Sequence, residues 1–262
     1  MRPRVCVLYA DGTNCDRETY YAFEKAGGAP ELVHVNQLRS GERKLADYQI
    51  LVIPGGFSYG DDVLAGKVLA VELTSFLADQ LQAFVEAGKP VLGICNGFQV
   101  LVRTGLLPDA RMGEIKVTLM TNDSGRFECR WVYLRVEESR CIFTRGLAGQ
   151  LLYLQAAHGE GKFYTSPRVL EAIEAGNQVV FRYATPSGEP TGAYPYNPNG
   201  SLGAIAGICD PSGRILGLMP HPERFVEVTQ HPNWRRPEVK SLLKEPHGLA
   251  IFRNAVAYAR EM

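Results

Sequence analysis

The chain reads as an α/β protein built on a mostly parallel sheet with an antiparallel extension. Three observations predict this. Short apolar runs recur through the first part of the chain, at 5–9, 32–35, 50–53 and 91–94, the pattern of strands covered on both faces. Stretches with helical spacing separate them. After Pro108 the rhythm changes to strand-like runs at 117–120, 131–136, 179–183 and 215–219 joined by turn-rich links, as antiparallel pairing requires.

Taken in order, Val5, Cys6, Val7, Leu8 and Tyr9 make the first strand. Residues 16–26 form a helix with Arg17, Tyr20 and Phe23 at i, i+3 spacing, stopped by Gly27-Gly28. Strand 32–35 places His34 in an apolar setting as a core histidine. Strand 50–53 ends at Pro54-Gly55-Gly56. Leu69, Leu73, Phe76, Leu77 and Phe84 mark one face of a helix that Gly88 caps, and Pro90 opens the next strand. Residues 186–200, rich in Pro, Gly, Asn and Tyr, are irregular. Leu249, Phe252, Val256 and Ala259 outline a closing helix.

The 262 residues, 45% hydrophobic and 21% charged, suit one large globular domain spanning 1–262. Lys plus Arg (28) balance Asp plus Glu (28), so no net charge draws the protein to nucleic acid or an acidic membrane surface. No apolar run reaches the roughly 18 residues of a membrane span. Met1-Arg2-Pro3-Arg4 leads directly into a strand, which argues against a secretion signal and for the cytoplasm. The six cysteines are irregularly spaced with no C-x-x-C, so they read as reduced thiols rather than disulfides or a zinc site.

The segment Gly93-Ile94-Cys95-Asn96-Gly97-Phe98-Gln99 stands where a strand meets a helix. It is a G-x-nucleophile-x-G elbow with cysteine as the nucleophile. The turn forces Cys95 into strained backbone, and the free N–H groups of the helix start favour a thiolate. Alone, the pattern is equally consistent with a buried structural thiol. A base is needed beside it. His221, at the end of a strand in Met219-Pro220-His221-Pro222-Glu223-Arg224, is the best placed. Extended backbone before Pro222 would project His221 and Glu223 to the same side, a base with its orienter.

Acyl transfer also needs donors for an oxyanion. The N–H of Asn96 is one candidate, and the Gly55-Gly56 turn can supply another. Gln99, one helical turn after Cys95, could bind a polar substrate or cap nearby backbone. His158-Gly159-Glu160 and His221-Pro222-Glu223 both match half of a zinc deaminase motif, but the P-C-x-x-C half is missing. His231 and His247 read as surface loop.

With Cys95 and His221-Pro222-Glu223 in place, the chain resembles class I, triad-type glutamine amidotransferases. Four further blocks, with the 219–224 segment around His221, narrow the match: 54–61 (Pro-Gly-Gly-Phe-Ser-Tyr-Gly-Asp), 124–131 (Ser-Gly-Arg-Phe-Glu-Cys-Arg-Trp), 157–163 (Ala-His-Gly-Glu-Gly-Lys-Phe) and 194–201 (Tyr-Pro-Tyr-Asn-Pro-Asn-Gly-Ser). They are similar to the glutaminase part of phosphoribosylformylglycinamidine synthases. The resemblance implies a flavodoxin-like glutaminase domain. Cys95 would attack glutamine, His221 would act as acid and base oriented by Glu223, and the Gly56 and Asn96 amides would hold the oxyanion. It implies no cofactor in this chain, with ATP and magnesium at a partner synthetase subunit that takes the ammonia, and a small bridging subunit in some assemblies. Asp62-Val-Leu-Ala-Gly66 and an insertion at 229–247 depart from short stand-alone subunits, and Trp234, Arg235 and Arg236 in the insertion are candidates for a partner contact. Two other readings are a γ-glutamyl peptidase on the same fold and a scaffold subunit with a dead site.

Overall fold

The computed structural model describes residues 1–237, 239 and 245–262. Eleven strands are assigned among them: β1 Arg4–Tyr9, β2 Ala29–His34, β3 Ile50–Ile53, β4 Val91–Ile94, β5 Val117–Met120, β6 Glu128–Val136, β7 Leu151–His158, β8 Lys162–Thr165, β9 Val179–Ala184, β10 Ile205–Cys209 and β11 Ile215–Leu218. Nine of them form one sheet in the order β2-β1-β3-β4-β11-β10-β9-β6-β7, and β5 pairs with β8 in a separate ribbon. The first five of that order run parallel. The remaining pairs, from β11–β10 to β6–β7, are antiparallel. A flavodoxin-like parallel half carrying an antiparallel extension is therefore the architecture, as the sequence predicts.

The parallel strands are short and buried along their length. All four residues of β3, β4 and β11 are buried, which is why these runs lack alternation. Helices α1 Asp16–Lys25, α2 Val35–Arg39, α3 Lys67–Phe76, α4 Ala78–Glu86, α5 Asn96–Thr104, α6 Pro167–Ala175 and α7 Leu249–Glu261 accompany the strands. Phe23 of α1 meets Phe252 of α7 edge to face at 5.0 Å, closing one side of the core.

Several expectations change. The buried face of α1 is Thr19, Ala22 and Phe23, because packing against β1, β2 and α7 selects the i, i+3, i+4 stripe rather than Arg17 and Tyr20. The single helix expected over 69–84 is two, α3 and α4, bent by 84° at Leu77. Phe76 is consequently exposed, under the Arg39 guanidinium at 3.9 Å. His34 is a cap at the end of β2, its Nδ1 accepting from the Asn36 N–H at 3.2 Å. His231 is buried rather than on a surface loop, packed among Trp131, Tyr153 and Phe225. His247 is also tied in, its Nδ1 accepting from the Tyr153 N–H at 2.8 Å. The insertion at 229–247 is thus anchored at both ends on the antiparallel half; part of it, at 238 and 240–244, lies outside the described residues. Among the described residues no single helix is long and apolar enough to cross a membrane.

Candidate active site

Three neighbouring parallel strands deliver the segments that carry chemistry. β4 is flanked by β3 and β11, so the residues following each strand emerge side by side at one edge of the sheet. β3 leads to Gly55-Gly56, β4 to Cys95 and β11 to His221.

Cys95 has φ 51° and ψ −105°, a conformation that costs energy in a residue with a side chain and is typical of working nucleophiles. The strain is held by backbone bonds on both sides. The Cys95 N–H donates to Leu218 O at 2.8 Å and Cys95 O accepts from the Gln99 N–H at 3.1 Å. Helix α5 can start this close to the sheet only because position 97 is glycine, where a Cβ would lie 1.9 Å from Ile53 O. The Cys95 thiol donates to Ala157 O at 3.5 Å.

His221 is buried and anchored by its N–H to Gln155 O at 2.7 Å. Its Nδ1 donates to Glu223 Oε1 at 2.6 Å, a charge-assisted bond inside the protein. The two side chains meet by a route the sequence does not suggest: Pro222–Arg224 forms a 3₁₀ turn, which folds Glu223 back onto the ring instead of extending away from it. His221 Nε2 and Glu223 Oε2 are buried with no hydrogen-bond partner. Burial alone would suppress the imidazolium, but the Glu223 carboxylate, with Cys95 next, raises the basicity of His221 well above normal.

Gly55 is where the pieces touch. A Cβ there would stand 2.7 Å from His221 Cε1, 3.3 Å from Cys15 Sγ and 3.4 Å from Cys95 Cβ. Gly56 has φ 139°, and its turn is pinned by the Cys15 N–H to Gly55 O at 3.2 Å and the Phe57 N–H to Gly12 O at 3.0 Å. A cleft of about 120 Å³ opens over Cys95, lined among others by Gly56, Asp61, Gln99, Phe127 and Glu160.

The donor atoms of Cys15, His221 and Glu223 lie within 4.8 Å of one another. The close Nδ1–Oε1 bond and the Arg224 guanidinium, which donates to Cys15 Sγ at 3.2 Å, suit a hydrogen-bonded cluster more than a cation site.

Comparison with known proteins follows the same line as this geometry. A domain model of CobB/CobQ-like glutamine amidotransferases matches residues 2–259. Phosphoribosylformylglycinamidine synthase subunit PurQ of Dehalococcoides mccartyi is 50% identical over 99% of this chain and 98% of its own. The chain is a member of the PurQ family of glutamine amidotransferases. The PurQ subunit of Methanococcus maripaludis strain S2 is 43% identical over 98% of this chain and 97% of its own. The structure of PurLQS from Thermotoga maritima contains a chain 36% identical to this one, with a TM-score of 0.73 and coverage of 98% and 99% of the two chains. A further Thermotoga maritima glutamine amidotransferase, at 16% identity and TM-score 0.54, shares the fold.

In this PurQ-family chain Gly56, Cys95 and Gln99 line one cleft, and His221 and Cys95 both border position 55. Gln99 faces the cleft, but its amide is engaged: Oε1 accepts from Asn96 Nδ2 at 3.0 Å and Nε2 donates to Glu160 O at 2.6 Å. It braces α5 against the 157–161 wall. The Asn96 side chain is likewise held, accepting from Ser58 Oγ at 2.6 Å and donating to Asp61 Oδ1 at 3.0 Å. Trp234 carries the Arg235 guanidinium over its ring at 5.0 Å, remote in sequence from these contacts.

Sequence reasoning missed the 157–161 wall and what holds it. His158 Nδ1 donates to Asn122 Oδ1 at 3.1 Å, and its Nε2 accepts from Asn199 Nδ2 at 3.5 Å, so the ring is neutral. Complete burial, then the nearby His221 charge, pushes its pKa down to about 3. Asn122 also takes the Gly161 N–H at 3.1 Å. Ala157-His-Gly-Glu-Gly161 stands in the sequence as an incomplete zinc motif and within the 157–163 block of the family resemblance, and neither reading predicts that it walls the cleft. Cys15 and Arg224 were missed as well, because 206 residues separate Cys15 from His221.

Proposed function

We propose that Cys95, His221 and Glu223 carry the glutaminase reaction of a phosphoribosylformylglycinamidine synthase, this chain supplying ammonia to a synthetase subunit. The observation that carries the reading is the state of His221: Nδ1 is committed to Glu223, Nε2 is buried and unpartnered, and the ring borders position 55 together with Cys95, a nucleophile in strained backbone. An imidazole so held can take the Cys95 proton, and Glu223 stabilises the imidazolium that results.

The Cys95 thiolate then attacks the side-chain carbonyl carbon of glutamine. The negative charge formed on oxygen is received by the Gly56 and Asn96 N–H groups. Collapse of the adduct breaks the C–N bond as His221 returns its proton to the leaving nitrogen, giving ammonia and a γ-glutamyl thioester. Water, deprotonated by His221, attacks the thioester, and glutamate leaves as Cys95 regains its proton. Gln99 and the Glu160 segment shape the cleft that receives the substrate. ATP and magnesium act at the synthetase, where the ammonia converts formylglycinamide ribonucleotide to its amidine. Trp234, Arg235 and Arg236 are offered as one contact with the assembly. The six unpaired cysteines fit a cytoplasmic setting.

The test is ammonia and glutamate release from glutamine, with and without the synthetase. Cys95→Ala and His221→Ala should abolish it to similar extents, because members of a catalytic unit are not additive. The same complexes should still work when given ammonium salts. A Cys95→Ala complex that remains active on glutamine alone would overturn the reading.

A further inference from the structure

A second thiol stands at the base. Cys15 lies between β1 and α1, buried, with Sγ 4.0 Å from His221 Nδ1. Its surroundings are specific. Arg224 Nη2 donates to Sγ at 3.2 Å, and the thiol donates to Asn14 Oδ1 at 3.4 Å. Arg224 is itself held by Glu18, Nε to Oε2 at 3.2 Å. The Cys15 backbone is engaged as well. Its N–H fixes the Gly55 carbonyl, and its carbonyl accepts from the N–H and hydroxyl of Thr19 at 3.0 and 2.7 Å, locking it to the first turn of α1. Asn14, which receives the thiol proton, packs against Gly56: its Oδ1 would be 3.2 Å from a Cβ at that position.

One residue therefore touches both halves of the chemistry, the base through its side chain and the oxyanion turn through its backbone. We propose that Cys15 is a positioning residue that sets the distance between His221 and the Gly55-Gly56 turn and orients the Nδ1 edge of the ring. The inference rests on His221 being the base.

The choice of a thiol has a physical reason. Sulfur reaches contacts of 3.2 to 4.0 Å that place it against the ring without inserting into the Nδ1–Glu223 bond. As a weak donor and acceptor it does not compete with the carboxylate for Nδ1. Burial raises its pKa, so it adds no second negative charge beside Glu223. The groups facing His221 are Glu223 on its own turn, Cys15 from the β1–α1 loop with Arg224 behind it, Cys95 from the elbow and His158 from β7. Of these, Glu223 favours the protonated ring most, Cys95 next, and Cys15 adds to them.

The experiment compares Cys15→Ala, Cys15→Ser and Cys15→Val in the complex with the synthetase, measuring kcat and KM for glutamine across pH, with Cys95→Ala as control. Cys15→Ala should lower kcat on the order of tenfold, the scale on which groups that orient a working side chain act. KM should change little, and the pH limb reporting His221 should move to lower pH. Cys15→Ser, which keeps a donor and an acceptor, should restore most of kcat and of the limb. Cys15→Val fills the space without a polar hydrogen and should behave as alanine does, which covers the case of an alanine variant that does not fold. Wild-type kcat and an unmoved limb in Cys15→Ala or Cys15→Val, or a serine variant as impaired as they are, would overturn the assignment. If Cys95→Ala is inactive while the Cys15 variants are normal, only this inference fails; an active Cys95→Ala removes the underlying reading.

Discussion

Gly97 sits so close to Ile53 that a Cβ on it would reach 1.9 Å from the Ile53 carbonyl oxygen. The elbow helix α5 rests directly on the backbone of β3, and neither element can retreat without breaking sheet pairing. Gly97→Ala should therefore destabilise the fold by about 1–3 kcal/mol or more, as overpacking does. The fraction that folds should have a displaced Cys95 and little glutaminase activity. Urea unfolding followed beside ammonia release checks this; normal stability with normal activity would contradict it.

Gly55→Ala is expected to act differently. The new methyl would press on His221 Cε1 at 2.7 Å while resting on Cys95 Cβ at 3.4 Å, pushing the base away from the nucleophile. A displacement of that size costs on the order of 100-fold in rate. The fall should appear in kcat, and in a thermal melt the variant should lose far less than Gly97→Ala.

Glu223→Gln keeps the shape of the turn but removes the charge that sustains the imidazolium. By analogy with the serine-protease triad, kcat should drop about 10³–10⁴-fold. The sign of the pH effect follows from the raised basicity of His221. Without the carboxylate the ring loses its proton at lower pH, so the limb that reports it shifts acidward. For stability the sense is the same. The raised His221 pKa contributes stability below the ordinary histidine value, and that contribution is lost as pH rises through the folded-state value. Glu223→Gln should narrow this difference, and an unshifted limb in the pH–rate profile would count against the pairing.

His158 predicts the opposite dependence. Its neutral ring has a pKa near 3 in the folded protein, whereas the unfolded chain takes the proton near 6.5. Its contribution is present above pH 6.5 and lost as pH falls toward 3, several kcal/mol over the full span at about 1.4 kcal/mol per unit. His158→Gln can still bond to Asn122 and Asn199 and has no proton to gain. Urea midpoints at pH 7 and pH 4.5 should fall more steeply for wild type than for the variant. Equal slopes would show that His158 does not govern this acid response.

How much was legible depended on whether the signal was local. β3 and β4 lie where the apolar runs place them, because a strand buried on both faces needs only continuous hydrophobicity. β7 escaped notice although its burial alternates strictly along Leu-Leu-Tyr-Leu-Gln-Ala-Ala-His. Leucine and alanine favour helices, and it is the pairing with β6 that makes this segment a strand. α6 was overlooked despite Ser166 capping it and Pro167 at its first position. At the site, the partnership of His221 and Glu223 was readable but its 3₁₀ geometry was not. The approach of Cys15, after β1, and Arg224, after β11, depends on the three strands β3, β4 and β11 lying in order beside β1, which no local pattern encodes.

That three-strand arrangement has a thermal consequence. The spacing between the Gly55 turn, Cys95 and His221 is set by the separation of adjacent strands, about 4.8 Å, which belongs to the backbone hydrogen-bond ladder rather than to any mobile lid. The site inherits the rigidity of the most buried part of the molecule. Warming should leave its geometry intact until the sheet itself melts, so inactivation and global unfolding should fall on a single curve.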